Sequence, residues 1–343
     1  MTVKSKNHCT LTILMAAAIT FTGCSPEGSS DRLPTTNDPK TIRIVTTVGM
    51  IADLVQQVGG RHVNVTQLMG PGVDPHLYKA NRDDIQSILD SDLVFFSGHH
   101  LEGKMAETLE KLGEQKPIIA LAEQLDESRL VKDEQSQADP HLWMDVSLWA
   151  GVLQPISESL AELLPEHADE FRGNAASVEK QLAELHQYGI QAIASIPEDQ
   201  RQLITSHDAF QYFGLAYNIE VLGIQGLSTE SEAGLQRINQ LVDLITEQKI
   251  NAIFIESSVP QKNINSLIEG AKSRGHEVKI GGELYSDAMG EPSSLQGTYV
   301  GMMAHNIATV ARALGGKTED FTIESTSIGR GERKVFTPAW THE

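Results

Sequence analysis

The feature that most constrains the fold is an alternation of strand-like and helix-like segments that occurs twice along the chain. In the first half, short β-branched runs span residues 42–48, 63–69, 93–97 and 118–121. In the second half, similar runs span residues 202–205, 219–223, 252–255 and 278–280, with helical spacing over 235–248 and 264–273. Strands that alternate with helices are typical of parallel βα units. We therefore predict an α/β fold of two similar lobes, each a four-stranded parallel sheet flanked by helices.

Between the two halves, residues 165–196 have the pattern of one long spine helix. The segment begins with Pro165, which suits a first helical turn, and Pro197 follows its end. Apolar residues recur along it at helical spacing: Phe171, Ala175, Val178, Leu182, Leu185, Ile190 and Ile193. As one helix it would be roughly 45 Å long, the span of a whole lobe. Two shorter helices, separated near Gly173 or Gly189, are the competing interpretation.

The length of the chain also favours two lobes. Its 343 residues exceed the size, about 250–300 residues, at which a single hydrophobic core stops growing. We place the first lobe at residues 41–164, the spine at 165–196 and the second lobe at 197–317. Residues 318–343 form a C-terminal tail that mixes Gly, Thr, Ser and charged residues, and this composition assigns it no role.

Residues 1–24 resemble a lipoprotein signal peptide. A basic start precedes an apolar core over 11–21 and the sequence Phe21-Thr22-Gly23-Cys24, which resembles the bacterial lipobox whose cysteine is lipidated. Phe21 replaces the usual aliphatic residue, so cleavage by ordinary signal peptidase and an uncleaved anchor are alternatives. Residues 25–40 are polar and are predicted to form a flexible tether. Each alternative places the lobes outside the cytoplasm, and lipidation of Cys24 would hold them on the bacterial cell membrane, in the periplasm or on the outer face.

The net charge and the cysteine positions limit the classes of protein to consider. A formal charge of −19 argues against a nucleic-acid partner, because phosphate binding requires a basic face. An acidic surface raises the local concentration of cations, although solubility explains the charge equally well. The two cysteines, Cys9 and Cys24, both precede the tether, so the lobes contain no disulfide.

Four potential metal ligands each follow a strand-like run: His76, His141, His207 and Asp287. In open α/β sheets, ligands bind beyond the carboxyl ends of the strands, so residues in such positions are expected to converge. The triplet Asp-Pro-His occurs at 74–76 and again at 139–141, and proline restricts both loops. Taken singly, an exposed loop histidine or a helix cap explains each residue as well. Together they predict one divalent ion held in a cleft between the lobes.

Three imidazole nitrogens and one carboxylate suit Zn²⁺. Mn²⁺ usually has more oxygen ligands, and a bidentate Asp287 would supply a second oxygen, so manganese is the alternative. Carboxylates commonly orient metal-bound imidazoles through the second ring nitrogen, and we predict this role for Asp208 or Asp145. Glu256, at the end of a buried strand, is predicted to support the site without binding the ion. Asp287 is expected to follow a turn at Gly281-Gly282.

These segments resemble the zinc- and manganese-binding lipoproteins of ABC importers, the TroA-like family. The similarity runs from about residue 41 to 316 in the same motif order and includes segments 226–232, 254–257, 282–290 and 297–302. It implies a bilobed solute-binding fold with a helical spine, a metal ion between the lobes, and delivery of that ion to a membrane permease. It also implies the ligands His76, His141, His207 and Asp287. Histidine at position 207 resembles the zinc or mixed branch, whereas the lack of a histidine-rich insertion keeps manganese open.

The expected function is therefore capture and release of a metal ion by a monomer that is not an enzyme. Because the imidazoles must be neutral to bind, affinity is expected to fall below about pH 6.5. One alternative is a hydrolase with a catalytic zinc, but four protein ligands leave no required position for water, and no His-Glu-x-x-His motif is present. The other alternative is a surface adhesin, which a lipid tether would permit.

Overall fold

The computed structural model describes residues 41–133, 136–323 and 334–335. The predicted signal peptide with Cys24, the predicted tether and most of the predicted tail lie outside the described residues. We use "N-terminal lobe" for the part built on the first four strands and "C-terminal lobe" for the part built on the next four. The residue boundaries predicted for the lobes stay predictions.

The N-terminal lobe is built on a four-stranded parallel sheet, as predicted. Its strands are β1 (Ile42–Thr46), β2 (Val63–Gln67), β3 (Leu93–Phe96) and β4 (Ile118–Ala120). They are ordered β2-β1-β3-β4, and all three pairings are parallel. In this register Ile44 lies between Val65 and Leu93, which places β1 in the centre of the sheet.

The helices of this lobe are α1 (Gly49–Gly59), α2 (Arg82–Asp90), α3 (Ala106–Gly113), α4 (Val146–Trp149) and α5 (Leu153–Leu163). One face of α1 is fully buried. The start of α2 is set by Asn81, whose side chain accepts hydrogen bonds from the backbone of Asp83 and Asp84, while the Asp84 side chain accepts from the Asn81 backbone. Such a reciprocal cap contributes about 1 kcal/mol to the stability of the helix.

The spine is a single helix, α6 (Ala168–Ala194), of 27 residues after a short turn at Pro165–His167. It continues through both Gly173 and Gly189, so the alternative of two shorter helices is wrong. Gly189 is present because of packing: a Cβ atom there would lie 2.5 Å from the ring of Tyr217. The helix therefore needs glycine at this position to approach its neighbour, and its length is about 40 Å.

The C-terminal lobe contains four further parallel strands, β5 (Gln202–Thr205), β6 (Glu220–Gly223), β7 (Ala252–Glu256) and β8 (Lys279–Leu284). They form two hydrogen-bonded pairs, β5-β6 and β7-β8, with β5 packed beside β7. The accompanying helices are α7 (Gln211–Tyr217), α8 (Leu235–Glu247), α9 (Lys262–Ser273) and α10 (Tyr299–Ala313). A small antiparallel pair, β9 (Thr322–Ile323) and β10 (Lys334–Val335), lies near the end of the chain.

The predicted turn at Gly281-Gly282 is wrong, because β8 continues through both glycines to Leu284. The register of β8 against β7 shifts opposite Ile253 and Phe254, which is typical of a β-bulge. A Cβ atom at Gly282 would lie 2.4 Å from the Thr309 side chain on α10. The glycines therefore allow α10 to pack closely on the strand rather than reverse the chain.

The two lobes share part of their interior. One hydrophobic core runs from β1 and α1 through the spine to α10, and its largest members include Trp143, Trp149, Phe171 and Tyr299. A second, smaller core lies within the C-terminal lobe, between its strands and helices α8 and α9. Packed side chains thus hold the lobes together along the spine. Among the described residues, no helix is both long and apolar enough to cross a membrane.

Candidate metal centre

His76 is held by the loop that follows β2. The Asp74 carboxylate accepts a hydrogen bond from the His76 backbone N–H at 2.9 Å, and Pro75 lies between them. Gly72 has φ 69°, a left-handed conformation that glycine adopts without strain. The loop therefore places the His76 ring in the interior, where it is buried.

His141 lies in the second Asp-Pro-His loop, which precedes α4. Asp139 Oδ1 accepts from the His141 backbone N–H at 2.9 Å, as in the first loop, and also lies 2.7 Å from ring atom Nδ1. This second contact fixes the ring and leaves Nε2 as the atom that faces the cleft. The two loops share one backbone bond but differ in the role of the carboxylate, because Asp74 uses its other oxygen to accept from Thr229 Oγ1 at 2.5 Å.

His207 lies two residues after the end of β5 and is held by Glu256, the last residue of β7. Glu256 Oε1 accepts from the His207 backbone N–H at 2.9 Å, and Oε2 lies 2.5 Å from ring atom Nδ1. Both side chains are buried. The neighbouring carboxyl ends of two parallel strands thus produce a carboxylate–imidazole pair, again with Nε2 turned inward.

Asp287, in the segment after β8, completes the cluster. Its Oδ1 lies 3.4 Å from His141 Nε2, and its Oδ2 lies 3.2 Å from His207 Nε2 and 4.0 Å from His76 Nε2. The Nε2 atoms of His76 and His141 are 3.3 Å apart. One ligand atom from each of the four residues lies within 4.8 Å of all the others.

These distances fit a bound ion. Ligand atoms about 2.1 Å from a tetrahedral zinc ion are about 3.4 Å from one another. Within the described part of the chain, His207 Nε2 and both Asp287 oxygens are buried without a hydrogen-bond partner of good geometry. Leaving such atoms unsatisfied costs about 1–3 kcal/mol each, which a coordinated cation would offset.

Neighbouring carboxylates raise the pKa of two of the three imidazole rings. Burial alone would lower the pKa of His141, but Asp139 and Asp287 raise it to about 9. For His207 burial is likewise outweighed, and Glu256 and Asp287 hold its pKa well above the usual value. In return, these rings hold the pKa of Asp287 well below its usual range, although burial opposes this.

His76 behaves differently from the other two rings. Burial lowers its pKa to about 4, and the charges of His141 and His207 act in the same direction against the attraction of Asp287. Its ring is therefore neutral near pH 7 and ready to donate a lone pair. The three rings therefore differ: neighbouring carboxylates raise the pKa of His141 and His207, whereas burial lowers that of His76.

The chain also matches known proteins. Residues 44–313 match the family described as the zinc-uptake complex component A, periplasmic. The chain belongs to this family. It is 45% identical over 302 residues, 88% of this chain and 97% of the relative, to the manganese-binding lipoprotein MntA of Bacillus subtilis (strain 168).

The chain is similar to further proteins in sequence and in structure. The zinc-binding protein TroA of Treponema pallidum (strain Nichols) is 42% identical over 306 residues, 89% of this chain and 97% of the relative. A solved structure of the periplasmic zinc-binding protein TroA superposes with a TM-score of 0.78 at 44% identity, covering 80% of this chain and 99% of that one. The metal ABC transporter substrate-binding lipoprotein ScbA of Streptococcus cristatus is 26% identical over 312 residues, 89% of this chain and 97% of the relative.

The structure brings together His76, His141, His207 and Asp287, as the sequence predicts, but gives the predicted orienting residues other partners. Asp145 caps α4 by accepting from the backbone of Ser147 and Leu148. It also accepts from Arg129 at 2.8 Å. The hydrogen bond of the Asp208 side chain comes from Gln211, at 2.7 Å. Asp145 and Asp208 therefore bond other groups, and neither has the predicted role of orienting a ligand ring.

The carboxylates that contact the rings are Glu256, which the sequence predicts to support the site, and Asp139, which was not predicted as a functional residue. A signal for Asp139 was present, because an aspartate two residues before a histidine can bond both its backbone and its ring. The signal does not discriminate, however: Asp74 has the same spacing and bonds only the backbone of His76.

Proposed function

We propose that this protein is the extracytoplasmic solute-binding component of an ABC importer, which captures Zn²⁺, or alternatively Mn²⁺, and delivers it to a membrane permease. The observation that carries the proposal is the convergence of three imidazole nitrogens and a carboxylate, from four loops, within 4.8 Å. The names of three relatives support it: one is called manganese-binding, one zinc-binding and one a substrate-binding lipoprotein of a metal ABC transporter.

In this proposal the ion itself joins the lobes. His76 and His141 belong to the N-terminal lobe, and His207 and Asp287 to the C-terminal lobe. Bound metal replaces the protons on His141 and His207 and satisfies the two oxygens of Asp287. Opening of the cleft separates the ligands into two incomplete pairs, so release to a permease requires the lobes to move apart.

The ligand set favours zinc over manganese. With one oxygen of Asp287 bound, three nitrogens and one oxygen form the tetrahedral shell that zinc prefers. With both oxygens bound, the shell becomes five-coordinate and more suitable for manganese. The two Asp287 oxygens face different rings, Oδ1 toward His141 and Oδ2 toward His207, so both arrangements are within reach.

We also propose that the protein acts as a monomer anchored at lipidated Cys24, with residues 25–40 as a tether and the lobes in the periplasm or on the outer face of the membrane. Lobe boundaries at 41–164 and 197–317, with the spine between them, are part of this proposal. Catalysis is not part of it. Four protein ligands complete a tetrahedral zinc shell and leave no position at which a reactive water is required.

A competitive metal titration of the untagged, detergent-solubilised protein tests the proposal. We expect one tightly bound ion per chain and a loss of affinity of at least about 100-fold in His207→Ala, because a first ligand and its pairing with Glu256 are both removed. His276→Ala is the matched control, since that ring lies outside the cleft and contacts the Ile250 carbonyl. Tight binding that is unchanged in His207→Ala would contradict the proposal, and zinc against manganese competition in the same assay decides the preferred ion.

A further inference from the structure

We propose a second, weaker divalent-metal site, formed by His62, His167 and Glu170 and separate from the cleft. One ligand atom from each residue lies within 4.8 Å of the other two. His62 Nε2 is 3.0 Å and His167 Nδ1 is 3.7 Å from Glu170 Oε2. The site goes beyond the proposed function, because capture in the cleft does not require it.

The topology places this site at the amino end of strand β2, whereas the cleft lies beyond the carboxyl ends of the strands. His62 immediately precedes β2, whereas His76 lies in the loop that follows the carboxyl end of the same strand. The five residues of β2 span about 16 Å. An ion bound at His62 is therefore too far from the cleft to share ligands with it.

The donor set suits borderline metals. Two imidazoles and one carboxylate are ligands that zinc, nickel and copper accept, with water in the remaining positions. His62 is only 2% exposed and is held in place, whereas His167 and Glu170 are 31% and 39% exposed. Solvent can therefore reach an ion at the outer side of the cluster.

The present ring geometry requires one small adjustment. The rings of His62 and His167 are stacked, with centroids 3.8 Å apart and planes inclined by 29°. Lone pairs of stacked rings point side by side, so the His167 ring must tilt for its Nδ1 to face the same ion as His62 Nε2. We expect the His167 ring to make this movement, because it is the more exposed of the two.

Three features keep the affinity of this site below that of the cleft. The Arg61 side chain lies against His62 Nε2, with its Nε 3.4 Å away, and its charge repels a cation. Within the described residues His62 Nδ1 has no hydrogen-bond partner, so no carboxylate supports the ring from behind. Glu170 belongs to the first turn of α6, where the helix dipole disfavours positive charge. We expect binding about 100-fold weaker than in the cleft.

The test is a zinc titration of the full-length protein that already holds one equivalent of zinc. We expect a second equivalent to bind, and to be lost in His167→Gln and in Glu170→Gln while the first equivalent remains. Retention of the first equivalent shows that these variants are folded. His186→Gln, a histidine elsewhere on the same helix, is the matched control and should still bind two.

Arg61→Gln supplies a test in the opposite direction. Removing the guanidinium charge beside His62 should tighten the second equivalent about threefold to tenfold and leave the first unchanged. Cobalt in place of zinc, followed by its visible absorption, reports whether the second ion has nitrogen ligands. A wild-type protein that binds only one ion at millimolar zinc, or a second equivalent that persists in both His167→Gln and Glu170→Gln, would overturn the inference. If the wild-type protein fails to bind even the first equivalent of zinc tightly, that result counts against the proposed function and not against this second site.

Discussion

Each of two inward-facing imidazoles is held by a carboxylate that also bonds the backbone N–H of the same histidine. Asp139 does this for His141, and Glu256 does it for His207. The paired contacts fix both the position of the loop and the rotation of the ring, so that Nε2 faces the cleft. Such support raises the basicity of a ligand and reduces the ordering required on binding.

Glu256→Gln should therefore weaken metal binding without disturbing the fold. The neutral amide keeps the size of the side chain but removes the charge that polarises His207, and we expect affinity to fall about 10- to 100-fold. Competition against a chelator measures this change. Asp208→Asn is the control, because the Asp208 side chain accepts its hydrogen bond from Gln211 and not from a ligand ring. This substitution should change the affinity for metal by less than about twofold. Equal losses in both variants would show that Glu256 has no special role.

Metal binding near pH 7.5 should release about two protons. The carboxylates raise the pKa of His141 to about 9 and that of His207 well above its usual value, so both rings are protonated before binding. Because an ion binds only the neutral ring, apparent affinity should fall as the pH drops below about 9, where the His141 ring becomes protonated, and the raised pKa of His207 acts in the same direction. The pH below which metal affinity is expected to fall is therefore higher than the value of about 6.5 expected for unperturbed histidines. Calorimetry in buffers with different ionisation enthalpies counts the protons, and a value near zero would contradict the protonated state.

At the scale of elements, the segment 226–232 between β6 and α8 reaches from the C-terminal lobe to the N-terminal lobe. Thr229 Oγ1 donates to Asp74 Oδ2 at 2.5 Å, and Glu230 forms an ion pair with Lys104. Asp74 also holds the backbone of His76, so the same carboxylate connects closure of the cleft to the position of a ligand. We expect these contacts to slow the release of metal.

Thr229→Val should accelerate metal release about fivefold, because it removes one hydrogen bond between the lobes, worth about 1 kcal/mol, that opening of the cleft would break. Lys104→Met should change the rate less than about twofold, since its ion pair with Glu230 is largely exposed. Stopped-flow transfer of the ion to an excess of chelator measures both rates. Thr229→Ser keeps the hydroxyl and serves as the control. If Thr229→Ser and Thr229→Val release metal equally fast, the hydrogen bond does not act as a latch.

At the scale of the whole molecule, the shared core predicts that the lobes unfold together. Side chains from β1, the spine and α10 pack in one interior, so neither lobe can lose its structure without exposing part of the other. Calorimetry of the metal-free protein should therefore show a single transition. Two separated transitions would indicate that the lobes are independent.

A bound ion should raise the temperature of that unfolding transition, because the ion binds the folded state and not the unfolded chain. With free metal at 1,000 times its dissociation constant, the folded state gains about 4 kcal/mol. The transition of His207→Ala should shift much less at the same concentration of metal. An equal shift in the variant would place the stabilising ion outside the cleft.

Local patterns in the sequence predicted the eight strands of the two lobes, the long spine and the helices near 235–248 and 264–273, and together with the family resemblance they selected the four residues that converge. They did not predict α7 or α10. The spacing of apolar residues determines whether a segment is a strand or a helix, and a parallel sheet brings the residues after its strands to one edge. That is why His76, His207 and Asp287 could be selected before their distances were known. His141 lies well beyond the end of β4 and was selected because the triplet Asp-Pro-His occurs twice. The same local patterns failed at Gly281-Gly282, because a glycine pair has the same appearance in a turn and in a strand beneath a helix.

Only the tertiary structure decided which carboxylate supports which ring. Glu256 meets His207 across 49 positions of the chain, and Glu170 meets His62 across 108. Such contacts depend on how strands and helices pack, which local spacing does not record. The protonation of the metal-free centre was decided in the same way, since burial and neighbouring charge act through distance in space rather than distance along the chain.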